Sequence, residues 1–225
     1  MISFKEGKQI CDNYILVSYL YALFYLALLS YFVSILLQYE DKLNRIGVLG
    51  FFGIILLEII AYIGLISIPK EQILLKHFVS ILYIIITSIT LAVIFTLYVP
   101  GSLVFTLFMT MVLFILLTLI AWKFQDKISS KITLIMIIVF ILLVIIEFLI
   151  SVFLPGSLLE KAIVLIVLMV ICYLVLVKTK RMIEHRDSCE KDGGPDYVRE
   201  STSLLLTFQN LFLRILQLFG KNRRR

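Results

Sequence analysis

The sequence predicts an all-α membrane protein: a seven-transmembrane-helix bundle, with six spans plus a re-entrant last helix as the variant. Two observations carry that expectation. Of 225 residues, 61% are hydrophobic and only 16% are charged, whereas a soluble domain is about half apolar and about a quarter charged. Apolar runs of membrane length also recur from one end of the chain to the other. A helix rising 1.5 Å per residue needs roughly 20 apolar residues to cross about 30 Å of hydrocarbon. Mean hydropathy is +1.07, and little sequence remains for a soluble domain. The expected organisation is a cytoplasmic segment over 1–13, a single transmembrane domain over 14–219 and a basic tail over 220–225.

The elements follow from apolar runs set against charged or Pro/Gly breaks. The first span, 14–37, follows Lys5 and Lys8 but is too long for a signal-peptide core and has no small-residue cleavage site, so it belongs to the mature chain. Spans follow at 46–68, 75–97, 102–122, 132–154 and 159–177. The turns "YVPGSL" at 98–103 and "FLPGSL" at 153–158 place Pro and then Gly at the central positions that a type II turn favours. The last candidate, 203–219, is the ambiguous one.

Charge orients these spans, because Lys and Arg in short loops stay on the cytoplasmic side. The N-terminus, the loop with Lys70 and Lys76, the loop with Lys123, Lys127 and Lys131, and the segment Lys178 to Arg199 fall on one side and hold 13 basic residues. The other side holds Lys42, Arg45 and Lys161. A cytoplasmic N-terminus follows. The tail, with Lys221, Arg223, Arg224 and Arg225, favours a last helix that does not cross, although this rule constrains a final helix least. The net charge of +6 thus reflects topology and headgroup contact rather than nucleic acid. Trp122 with Tyr14, Tyr39 and Tyr98 fits an aromatic belt at the interfaces.

Within 203–219, Ser203, Thr207, Asn210, Arg214 and Gln217 step by four, three, four and three, which aligns them along one helix face. Two situations produce such a stripe. An amphipathic helix on the membrane surface would hold it in water. A helix inside a bundle would turn it toward polar partners or a cavity. The single arginine among amides and hydroxyls suits the second better than a lysine-rich surface helix.

Ionisable residues inside spans are expensive and face the interior by default. Glu58 lies near the centre of the second span and Glu147 in the second half of the fifth. Arg214 is the basic residue well inside a span and the charge partner available to either acid. Lys178 ends the sixth span and can snorkel to the surface; His77 opens the third and reads as interfacial. Cys11, Cys172 and Cys189 are odd in number and widely spaced, giving neither a disulfide framework nor a metal site. No HExxH, GxSxG or phosphate-cradling glycine loop occurs, so the chain is expected not to be an enzyme and to need no cofactor.

The segment "DYVRESTSLLLTFQNLFLRILQLFG" resembles the closing signature of the transmembrane Bax inhibitor motif family, through Leu204, Leu206, Asn210, Leu211, Phe212, Leu213, Leu216 and Leu218. "SITLAVIFTLY" at 88–98 and "FTLFMT" at 105–110 look like the third and fourth spans of its Lifeguard and Golgi anti-apoptotic branch. "WKFQDKIS" at 122–129 looks like a family connection, and "VSYLYALFYLALL" is a looser match to the first span. The resemblance implies a seven-helix fold with the last helix central. It also implies calcium leak from the endoplasmic reticulum or Golgi, suppression of cell death, and partners in the cell-death or calcium-handling machinery.

Departures from the family pattern are as informative. The family's proton-sharing aspartate pair aligns with Lys178 and Thr207, and the branch's third-span acid with Thr87. None of the three can share a carboxylate proton. Calcium, the implied transported ion, prefers carboxylate oxygens, so a leak would be weak or gated otherwise. Glu58 and Glu147, with the neutral oxygens of Thr207 and Asn210, are then the ion-path candidates. The alternative is a non-conducting regulatory scaffold in cell death or trafficking; a viral member diverted to immune evasion would look similarly eroded. Endoplasmic reticulum or Golgi is the expected compartment, with a bacterial inner membrane or an infected host membrane as alternatives.

Overall fold

The computed structural model describes residues 11, 13–125, 128, 133–153, 157–188, 196–221 and 223. Outside them lie Lys5 and Lys8, Lys127 and Lys131, the Pro155–Gly156 turn, Cys189, and Arg224 and Arg225. The described regular elements are helices: α1 (Tyr14–Leu37), the single turn α2 (Glu40–Leu43), α3 (Val48–Ser67), α4 (Ile73–Phe95), α5 (Pro100–Lys123), α6 (Thr133–Phe153), α7 (Leu158–Ser188) and α8 (Tyr197–Phe219). Six are long and apolar enough to cross a membrane, and α6 contributes the shorter apolar stretch Ile135–Ile150. The chain is therefore an all-α membrane protein of seven-helix type.

Five spans end within a few residues of the boundaries read from hydropathy; the last two differ for a physical reason. Hydropathy marks where hydrocarbon ends, not where a helix does. Thus α7 continues past Lys178 to Ser188, with Lys180 paired to Glu184 at 3.4 Å one turn on and donating to the Ile128 carbonyl at 2.6 Å. Its start is capped by Ser157, whose hydroxyl accepts the Glu160 N–H at 3.1 Å. Helix α8 begins at Tyr197 rather than 203, because the Asp196 carboxylate accepts the Arg199 N–H at 3.3 Å and caps the first turn.

The chain forms two compact units. The first holds Met1–Pro100, Arg186–Leu205 and Asn222–Arg225; the second holds Gly101–His185 and Leu206–Lys221. In the first, α4 packs against both α1 and α3. Its buried side, Lys76, Ser80, Tyr83, Ile84, Thr87, Ser88 and Leu91, repeats every three or four residues and is polar over much of its length. Helix α3 buries only Leu65; Leu49, Phe52, Leu56 and Ile60 point outward, which costs little where the surroundings are lipid.

In the second unit, Ile163, Val167 and Ile171 of α7 pack with Leu211 and Ile215 of α8. Leu113 and Phe114 of α5 and Phe140, Leu143 and Ile150 of α6 close around them. The Phe114 ring meets Phe208 edge-on at 5.6 Å, a geometry that aromatic quadrupoles favour. Ala121, Ile128 and Val177 form a smaller cluster with Tyr173 and Leu176.

The surface-helix alternative for α8 is excluded by burial. A helix lying on a membrane keeps its polar side in water, whereas only Arg199, Gln217 and Phe219 of α8 are exposed. Both ends of its segment are tied within the first unit. Asp196, before α8, pairs with Lys76 in the first turn of α4. Arg223, after it, donates its N–H to the Leu97 carbonyl just past the end of α4 at 2.9 Å and pairs with Glu40. The chain thus enters α8 at one end of α4 and leaves it at the other. A helix of 23 residues is about 35 Å long, and α8 is long and apolar enough to cross a membrane.

Candidate functional site

Polar side chains in a membrane bundle must find partners inside it, since lipid supplies none. They do so in three places. The first is where α4 begins. Lys76, expected in a basic loop, lies instead in the first turn of α4, with its side chain 2% exposed and ion-paired to Asp196. The same carboxylate caps α8, so one residue joins two helix starts. Beside it, His77 is hydrogen-bonded through Nδ1 to the Tyr25 hydroxyl at 3.0 Å, and its ring lies 5.3 Å from that of Tyr21. Tyr21 in turn stacks on Tyr197 at 5.2 Å. Cys11, also buried, is disulfide-bonded, which the cysteine spacing gave no reason to expect.

The second place runs along α4. The Ser80 and Thr202 hydroxyls are 3.2 Å apart, Ser201 donates to the Ser18 carbonyl at 2.9 Å, and the Tyr62 hydroxyl donates to Ser203 at 3.3 Å. Further along, Thr90 donates to Glu58 Oε2 at 3.1 Å. The Tyr83 ring, wholly buried, lies 5.8 Å from that of Tyr62. The Tyr83 and Thr87 hydroxyls are buried without a hydrogen-bond partner among the described residues.

The third place is in the second unit. Arg214 of α8 pairs with Glu147 of α6, their side chains 14% and 8% exposed, and Arg214 also donates to Gln217 Oε1 at 2.8 Å. Opposite charges in a low-dielectric interior hold one another strongly, and each would be costly alone. Glu147 Oε2, Gln209 Oε1 and the hydroxyls of Thr106 and Thr179 are buried without a hydrogen-bond partner among the described residues.

Of the residues singled out from sequence, Arg214 and Glu147 come together. Glu58 lies in the other unit, where it accepts the Thr90 hydroxyl at 3.1 Å. Thr207, Asn210 and Lys178 are each half-buried in the second unit. Among the described residues no three of His, Cys, Asp and Glu gather in metal-ligating proximity. The Lys76–Asp196 pair escaped sequence reasoning, yet Asp196 carried a signal: an acid directly before an apolar helical run is an N-cap candidate.

The family described as "Inhibitor of apoptosis-promoting Bax1" matches residues 12–224, from before α1 to beyond α8. The chain belongs to the Bax inhibitor family. No curated protein gives a significant match. The match covers every described membrane helix.

Proposed function

We propose that this Bax inhibitor family chain is a multi-pass regulator of cell death and intracellular calcium in an endoplasmic reticulum or Golgi membrane. Its N-terminus is cytoplasmic, and its ion leak is weak and not gated by a carboxylate pair. In this reading the chain catalyses no reaction, and calcium is a transported ion rather than a cofactor. The family description, with its reference to apoptosis, supports the cell-death role. The observation that carries the weak leak is the Arg214–Glu147 pair: one of the two span acids is already neutralised by a fixed cation, and a fixed cation beside a path repels a divalent ion.

The test is reconstitution in liposomes with calcium flux followed against pH. A small flux with no switch near neutral pH is expected; a large flux switched there refutes the proposal. The same pair favours a second reading, a non-conducting scaffold that acts through helix contacts with other membrane proteins. Glu58→Gln with Glu147→Gln separates the two: residual flux collapses if the chain conducts, and partner binding persists if it is a scaffold.

A further inference from the structure

We propose that the exposed side of α3 beside Glu58 docks a membrane helix of another protein, one that carries an arginine or lysine near mid-depth as the charge partner of Glu58. Glu58 lies at the middle of α3, roughly 15 Å from either end of the helix. It is half-buried, accepts the Thr90 hydroxyl at 3.1 Å and has no ion pair among the described residues. The chain's own buried cations are committed elsewhere, Arg214 to Glu147 and Lys76 to Asp196.

Around this acid α3 is nearly bare, with Leu65 its one buried residue. Gly50, Ile54, Leu57, Ala61 and Gly64 step by four, three, four and three, which lines them up along the helix beside Glu58. Gly50, Leu57 and Gly64 are exposed, and a Cβ at Gly64 would meet no atom within 4 Å. Lipid covers the apolar part of that line at little cost, but it cannot satisfy the acid. One hydroxyl does not offset the hydration a carboxylate loses, and a charge in hydrocarbon is stabilised by a counter-charge in contact with it. A guanidinium or ammonium on a facing helix supplies that charge, and the small side chains of the line let two backbones approach closely. A second copy of this chain fits poorly: it would bring Glu58 against its own likeness or against cations already paired. The surface goes beyond both readings above. It is one further contact, distinct from the helix contacts of the scaffold reading, which Glu58→Gln leaves in place.

The full-length chain is reconstituted in phosphatidylcholine vesicles with a labelled polyleucine span carrying arginine, leucine or glutamate at its centre, and association is read by energy transfer. The arginine span should bind at least about tenfold more tightly than the leucine span. Its affinity should hold in high salt, because a pair buried in lipid is little screened. Glu58→Gln should reduce binding of the arginine span to the leucine level. Gly64→Ile, which fills the line from outside, should weaken it by about three- to tenfold with the melting temperature unchanged. If Glu58→Gln does not fold, Gly64→Ile decides alone. Equal binding of the arginine and leucine spans, preference for the glutamate span, or arginine binding retained by both variants overturns the surface. Such a failure would touch neither reading above, since calcium flux reports separately on the leak and a scaffold can act through other helices.

Discussion

At the scale of single residues, the strongest electrostatic commitment in the second unit is the contact between Arg214 and Glu147. With both side chains largely buried, removing one partner strands the other, which costs about 3–5 kcal/mol in comparable buried pairs. Arg214→Leu should therefore lower the melting temperature of the purified protein sharply. Arg214→Leu combined with Glu147→Leu should recover most of the loss, since apolar side chains of similar volume replace buried pairs at little cost. Additive losses in the double variant would show that the two side chains do not act as a pair. Sequence alone identified the arginine and offered two acids for it. Periodicity could not choose between them, because the identity of the facing helix is not written in the spacing of either.

At the scale of elements, α8 depends on what happens at its first turn. Asp196 both caps the helix and neutralises a lysine that is 2% exposed. Asp196→Asn keeps an oxygen for the Arg199 N–H but loses the charge, whereas Asp196→Ala loses both. The alanine variant should be less stable than the asparagine variant by about 1 kcal/mol, the typical worth of a cap. Lys76→Met added to Asp196→Asn should restore stability by removing the stranded ammonium. Melting curves of the three variants check this ordering, and equal stability of Asp196→Ala and Asp196→Asn would show that the cap contributes nothing. The polar stripe from Ser203 to Gln217 was legible as a line of residues, and three of its members have identified partners, Tyr62 for Ser203, Glu147 for Arg214 and Arg214 itself for Gln217. Ser201, Thr202 and Gln209, off that line, are buried as well, because α8 hides more than one side and an amphipathic pattern describes a helix with only one face to hide.

At the scale of the whole molecule, the contacts at Lys76 and at Leu97 place the entry to α8 and the C-terminal tail at opposite ends of α4. Single cysteines at Glu71 and Lys221, both exposed, in a parent lacking the native cysteines, should react with a membrane-impermeant maleimide from opposite sides of sealed vesicles. Labelling of both from one side would show the re-entrant helix instead. Counting positive charges favours the re-entrant helix, since it weighs the four basic tail residues and takes no account of the ion pairs at both ends of α8. Composition and the length of apolar runs by themselves determined that the chain is helical and lies in a membrane, because hydrocarbon forces every backbone group to bond within its own segment. The closing signature of α8 likewise sufficed to suggest the Bax inhibitor family. Only the tertiary structure decided which polar groups meet: Lys76 with Asp196, 120 residues apart, Arg214 with Glu147, 67 apart, and Glu58 with the Thr90 hydroxyl of α4. A helix sets the period of its own side chains, but the partner for each face comes from segments far along the chain, and packing chooses among them.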